Sequence, residues 1–126
     1  MEYHPVKHDL ATTKYTRVYS ESVFTNHAPH NFIVTTPLVV GESERLDKQL
    51  LEVPFQNGAI KENGVNGVMN EDLIHMVICR LEHFQGSPFA CRENQLAITK
   101  LEEALLWLRK RTIGRENRGV EGTTNV

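Results

Sequence analysis

Five cations crowd the stretch between Trp107 and Arg118, namely Arg109, Lys110, Arg111, Arg115 and Arg118, against the single acid Glu116. Arg111 and Arg115 are four residues apart, and Arg118 follows about one turn later if a helix continues past Gly114, so their guanidinium groups share one helical face. Planar guanidinium donors bind phosphate oxygens in pairs, which makes such a face a fork for phosphate. A basic helix end also complements the helix dipole, and both readings fit the pattern.

Phe84 and Asn94 bracket a Gly-Ser-Pro turn, each close to the end of a periodic segment. Phe84 has the face to stack a base, and Asn94 can donate to and accept from a base edge or a ribose. A terminal Phe in the core and an Asn capping a helix are the plainer alternatives. The tail from Arg118 to Val126 has no core-forming pattern; its glycines and hydroxyls could fold backbone amides over an anion, or the end could fray.

His27 and His30 form an H-x-x-H in a turn with no third ligand at suitable spacing, so they read as surface histidines and no metal is expected. Glu102 and Glu103 are adjacent and point to different sides of a helix, so they make no facing catalytic pair. No nucleophile elbow, phosphate loop or dinucleotide fingerprint is present. Neither catalysis nor a cofactor has positive support.

A net charge of -2 and a pI near 6.3 argue against a chain whose whole surface is basic. A local anion site fits; a long nucleic-acid groove does not. With 126 residues, 40% hydrophobic and 24% charged, the chain suits one compact domain or a small domain with an appendage, and self-association would add stability. Cys79 and Cys91 have no metal-type spacing and read as reduced and partly buried. The first residues carry His, Pro and Lys where a signal peptide needs an apolar run, and no stretch reaches the roughly 20 apolar residues of a membrane span. A cytosolic protein without a membrane partner is expected.

The elements that must position these residues differ between the two halves, which gives an α+β fold. In the first half, Thr16 to Ser20, Asn31 to Thr36 and Leu50 to Gln56 read as short antiparallel strands, with Phe32, Val34, Leu51, Val53 and Phe55 alternating on one face. Pro54 makes the third an edge strand. Asn26 to His30 reads as a turn, and Gly41 to Asp47 as a charged loop or helical turn. Three glycines and four asparagines between Gln56 and Asn70 favour turns and left-handed backbone. The expected organisation is therefore a β part over 1–56, a Gly/Asn-rich linker over 57–69 and a helical hairpin with a basic end and Gly-containing tail over 70–126.

Asn70 is the expected N-cap of the first hairpin helix, with Glu71 and Asp72 in its first turn. Leu73, Ile74, Val77, Ile78, Leu81 and Phe84 form its stripe and Gly86 its stop. The second runs from about Ala90 to Arg111 or beyond, with Ala97, Leu101, Ala104, Leu105 and Leu108 on one stripe and Leu106 and Trp107 off it. A helix apolar on two sides has two partners: its hairpin mate, and the sheet or another subunit.

Several uncommon strings occur in order: Phe55-Gln-Asn-Gly-Ala-Ile-Lys-Glu-Asn-Gly-Val-Asn-Gly-Val68, Phe84-Gln-Gly-Ser-Pro-Phe-Ala-Cys-Arg-Glu-Asn94, Lys100-Leu-Glu-Glu-Ala-Leu-Leu-Trp-Leu-Arg109 and Arg118-Gly-Val-Glu-Gly-Thr123. From about Leu50 onward this resembles the hairpin domain shared by two kinds of phage anti-defence sponge, the first type of Thoeris anti-defence protein and the second anti-CBASS protein. The N-terminal β segment suggests the Thoeris type. The first half, up to about Gln49, matches no string of the family.

The resemblance implies a phage protein acting in the cytoplasm of the infected bacterial host. It would sequester glycocyclic ADP-ribose, the messenger of TIR-domain enzymes, without cleaving it, and homologues also take cyclic dinucleotides and trinucleotides. By motif position it implies that Phe84 stacks on the ligand, Asn94 hydrogen-bonds it, and Arg111 and Arg115 hold the pyrophosphate. Arg109, Arg118, Glu121, Thr123 and Lys61 are further candidate contacts. It also implies dimers grouped into a hexamer, in keeping with the two-sided second helix.

Arg111 lies about 17 residues beyond Asn94, some 25 Å along a helix. One hairpin does not bring both to a small ligand; an antiparallel partner does. The alternatives are an enzyme hydrolysing the same ligand, which needs a base or metal near the arginines and has only Glu93, Glu116 and Glu121 to offer, and a small nucleic-acid-binding regulator, which the overall acidity disfavours.

Overall fold

The computed structural model describes residues 2–37 and 48–126. Among these, four strands precede three helices: β1 (Tyr3–Pro5), β2 (Arg17–Glu21), β3 (Asn31–Thr35), β4 (Gln49–Pro54), α1 (Ile60–Asn63), α2 (Asn70–Gln85) and α3 (Arg92–Asn117). This is the α+β arrangement expected. Two compact units result, one of Met1–Gly58 with Asn63–Val68, the other of Ala59–Glu62 with Met69–Val126.

The first unit is an antiparallel meander in the order β1-β2-β3-β4. Ser20 pairs with Phe32 and Phe32 with Val53, while Val18 pairs with Val34 and Val34 with Leu51. Opposed residues point to the same face, so the expected alternation is realised. Val53 is buried, and Phe55 meets the Phe32 ring edge-on at 5.4 Å.

Pro54 ends β4 at the sheet edge. Its carbonyl accepts from the Val68 N–H at 2.8 Å, on the side away from β3, and a strand residue's nitrogen faces the same way as its own carbonyl. The missing N–H therefore costs no ladder bond. Gln56 N–H donates to the Val68 carbonyl at 2.9 Å, which closes a short parallel bridge of Phe55 with Val68.

The chain between these points is held by side chains. The Gln56 amide donates to the Gly64 carbonyl at 2.8 Å and accepts from the Asn66 N–H at 3.0 Å. Asn66 in turn spans the Asn57 N–H and carbonyl, both at 2.8 Å. At Gly67 the backbone runs so close to Pro54 and Phe55 that only glycine fits: a Cβ there would stand 2.4 Å from the Phe55 carbonyl carbon.

Glu21 is buried in β2, where its carboxylate accepts from the Asn31 amide and the His30 N–H. His30 Nε2 and the Thr25 carbonyl are 2.7 Å apart, and Asn26 and His27 adopt positive φ, so the expected turn is present. Gly41 to Asp47 lies outside the described residues.

In the second unit α2 and α3 form the hairpin, with Ile78 and Ile98 buried. Several details differ from expectation. β1 and α1 were not foreseen: a three-residue Tyr-His-Pro strand shows no alternation, and one helical turn flanked by glycines shows no stripe. The N-cap of α2 is Met69 rather than Asn70, because the Asp72 carboxylate accepts the Met69 N–H at 2.8 Å and moves the helix start back one residue. α3 begins at Arg92, not Ala90, because the turn consumes Ser87 to Ala90, and it continues through Gly114 to Asn117. Cys79 and Cys91 are exposed rather than partly buried. Cys79 sits about 100° around the helix from buried Ile78, and Cys91 occupies the turn.

Candidate functional site

The hairpin turn is built to hold one shape. Gln85 clamps it: its amide donates to the Cys91 carbonyl and its oxygen accepts the Cys91 N–H, both at 2.9 Å. Ser87 Oγ donates to the Phe84 carbonyl at 2.6 Å and accepts from Phe89 N–H at 3.1 Å. Phe84 therefore sits in a fixed last turn of α2 with 37% of its surface exposed. The Arg80 guanidinium lies 5.2 Å from its ring centroid. Arg80 was not singled out in the sequence, although its four-residue spacing from Phe84 was the signal.

Asn94 lies half-buried in the first turn of α3. Cys91 is the N-cap, so Asn94 is not. The bend thus presents an aromatic face and a primary amide.

At the other end of α3 the arginines are not equivalent. Arg109 Nη1 pairs with Glu116 Oε1 at 3.1 Å on the same helix. Arg118 caps the helix end by donating from Nε to the Gly114 carbonyl at 3.3 Å. Arg115 Nη2 donates to the carbonyls of Val120, Thr123 and Asn125 at 3.1, 3.0 and 2.9 Å. Arg111 is exposed and, among the described residues, has no hydrogen bond or ion pair. Lys110 lies 5.1 Å from the centroid of the Trp107 ring, which is 61% exposed.

The tail is ordered by its glycines. Gly119 takes φ +73°, and the Gly119 and Val120 N–H groups donate back to the Glu116 and Arg115 carbonyls, both at 3.0 Å, a Schellman stop for α3. Gly122, also at φ +73°, packs against the Lys61 stem while accepting the Lys61 N–H at 2.9 Å. Thr124 Oγ1 donates to Glu62 at 3.3 Å. The structure therefore gathers Arg115, Lys61, Glu121 and Thr123 around one tail, with Thr123 Oγ1 bonded to the Val120 carbonyl at 2.5 Å. The tail turns three of its carbonyls toward the Arg115 guanidinium.

Phe84 and Asn94 are not brought to the arginines within one chain, since α3 separates them by about 25 Å. Among the described residues no group of histidines, cysteines and acids converges on a metal position. His75, Cys79, Glu82, His83 and Gly86 line an open groove of about 470 Å³ along α2. No helix among the described residues is long and apolar enough to cross a membrane.

The hairpin thus carries Phe84 and Asn94 at its bend and Arg111 and Arg115 toward the far end of α3. The chain belongs to the Acb2/Tad1 hairpin-domain family, whose sequence profile matches residues 47–112. It is 50% identical to Thoeris anti-defense 1 of Bacillus phage SBSphiJ7, over 94% of this chain and 96% of that protein.

Proposed function

We propose that this protein is a phage anti-defence sponge. It binds a cyclic nucleotide immune messenger, foremost glycocyclic ADP-ribose, and holds it intact in the cytoplasm of the infected host. The pocket is composite: Phe84 and Asn94 from the bend of one hairpin meet Arg111 and Arg115 from the end of another in an antiparallel dimer, with dimers grouped into a hexamer. Phe84 stacks on a base, Asn94 hydrogen-bonds it, and the arginines take the pyrophosphate.

The observation that carries this reading is Arg111. It is a planar, permanently charged donor with no partner among the described residues, on a helix whose neighbouring arginines are engaged. Kinship with a Thoeris anti-defense protein over nearly the whole chain supports the messenger class. The exposed Leu106 and Trp107 on the second side of α3 support self-association. Lys61, beside the tail, and Arg109 and Arg118, already partnered, contribute secondary contacts and positive potential. The protein is not an enzyme in this reading, and nucleic-acid polymers are not its ligands.

The test is incubation with a panel of cyclic ADP-ribose isomers, cyclic dinucleotides and cyclic trinucleotides, removal of free ligand, heat release and mass analysis. One intact messenger per site is expected; a linearised product sinks the sponge. Arg111→Glu should abolish capture while leaving the oligomer's size unchanged, and capture at wild-type level would put the site elsewhere.

A further inference from the structure

We infer that the C-terminal tail is a strap that competes with the ligand for Arg115 and must leave it before that arginine can grip a phosphate with two arms. The inference rests on Arg115 being a phosphate contact, as proposed above, and takes that contact one step further.

A guanidinium offers two two-armed edges, one made by Nε with Nη2 and the other by Nη1 with Nη2. Nη2 is common to both. In this structure Nη2 carries two hydrogens and already faces three carbonyl oxygens, those of Val120, Thr123 and Asn125, at 2.9 to 3.1 Å. Both edges have thus lost an arm. Three carbonyl dipoles also present their negative ends where phosphate oxygens would approach. A seated tail and a two-armed phosphate grip at Arg115 exclude each other.

The tail is anchored so that it can yield. Beyond the Schellman stop it is held by the Arg115 collar, the Lys61 N–H to the Gly122 carbonyl, the Lys61 stem on Gly122 and the Thr124 hydroxyl on Glu62. It contributes no buried apolar side chain. Ionic phosphate oxygens bond a guanidinium more strongly than neutral carbonyls do, so a pyrophosphate wins the exchange and a neutral ligand does not. The strap would set a charge threshold on what Arg115 accepts.

The test uses the full-length protein, a chain ending at Gly119, and Gly122→Ala, which strains the positive φ and pushes on the Lys61 stem while keeping the chain intact. Hydrogen–deuterium exchange over the last eight or so residues is followed with glycocyclic ADP-ribose and, separately, with inorganic pyrophosphate. Expected are faster tail exchange on addition of either probe and a Kd for glycocyclic ADP-ribose about tenfold lower in the truncated chain, the size of one charge-assisted hydrogen bond. Gly122→Ala should shift the same way by less. A tail that becomes more protected or does not change, or variants that bind no tighter, overturns the strap. Tail opening by pyrophosphate without capture of the messenger keeps the strap and overturns the messenger assignment, so the two failures are distinguishable.

Discussion

Replacing Gly67 with Ala should be the most damaging single-methyl change in the first unit. The ideal Cβ would stand 2.4 Å from the Phe55 carbonyl carbon, 2.5 Å from its oxygen and 2.6 Å from the Pro54 oxygen, all backbone atoms that cannot rotate away. Cβ contacts under 3.0 Å are essentially never seen, so the two segments must part by about 0.6 Å or more. Two bridging bonds, Val68 N–H to Pro54 at 2.8 Å and Gln56 N–H to Val68 at 2.9 Å, span that gap. Parting stretches both to the limit of hydrogen bonding. Losing them costs about 1 kcal/mol each, and overpacking strain adds about 1–3 kcal/mol. The expected loss is about 3–5 kcal/mol, a large share of a typical 5–15 kcal/mol of domain stability.

Denaturant unfolding followed by circular dichroism measures it, with Gly64→Ala as the reference. Gly64 has φ +70° and nothing within 4 Å of a would-be Cβ, so it should lose only about 1 kcal/mol from backbone strain. Equal losses at the two positions would refute the close-approach argument.

Other outcomes follow from the hairpin. Gln85→Ala removes both bonds to Cys91 and should destabilise the hairpin by about 1–3 kcal/mol, read as a lower unfolding midpoint. Ile98→Ala opens a cavity where α3 is buried and should cost about 2–4 kcal/mol by the same assay. Arg109→Ala breaks an exposed pair with Glu116 and should change stability by under about 1 kcal/mol; a larger loss would mean the pair does more than its exposure allows.

The parts of the fold legible in the sequence were those with a period. Alternation along Phe32, Val34, Leu51 and Val53 gave one sheet face, and the three- and four-residue spacing around Ile78 and Ile98 gave the hairpin. Elements with no period were missed, as with β1 and the single turn α1. The start of α2 was misplaced because a good capping residue, Asn70, lost to a carboxylate two positions later. At the candidate site, residue types and spacing located the arginines but not their engagement. Arg109 with Glu116 at a seven-residue spacing could have been anticipated as two helical turns. The collar around Arg115 could not, because backbone carbonyls leave no trace in residue identity. Gly119 and Gly122 were its only hint.

On the composite pocket proposed above, the length of α3 has a genetic consequence. A pocket whose halves come from opposite ends of two antiparallel helices appears twice in each dimer, and each chain gives its bend to one pocket and its arginines to the other. Mixing Phe84→Ala chains with Arg111→Glu chains places both lesions in one pocket of each mixed dimer and leaves the other pocket wild type. Two proteins that are each inert in capture should therefore regain activity on co-expression, to about half the capacity per mixed dimer. A pocket confined to one chain shows no such rescue.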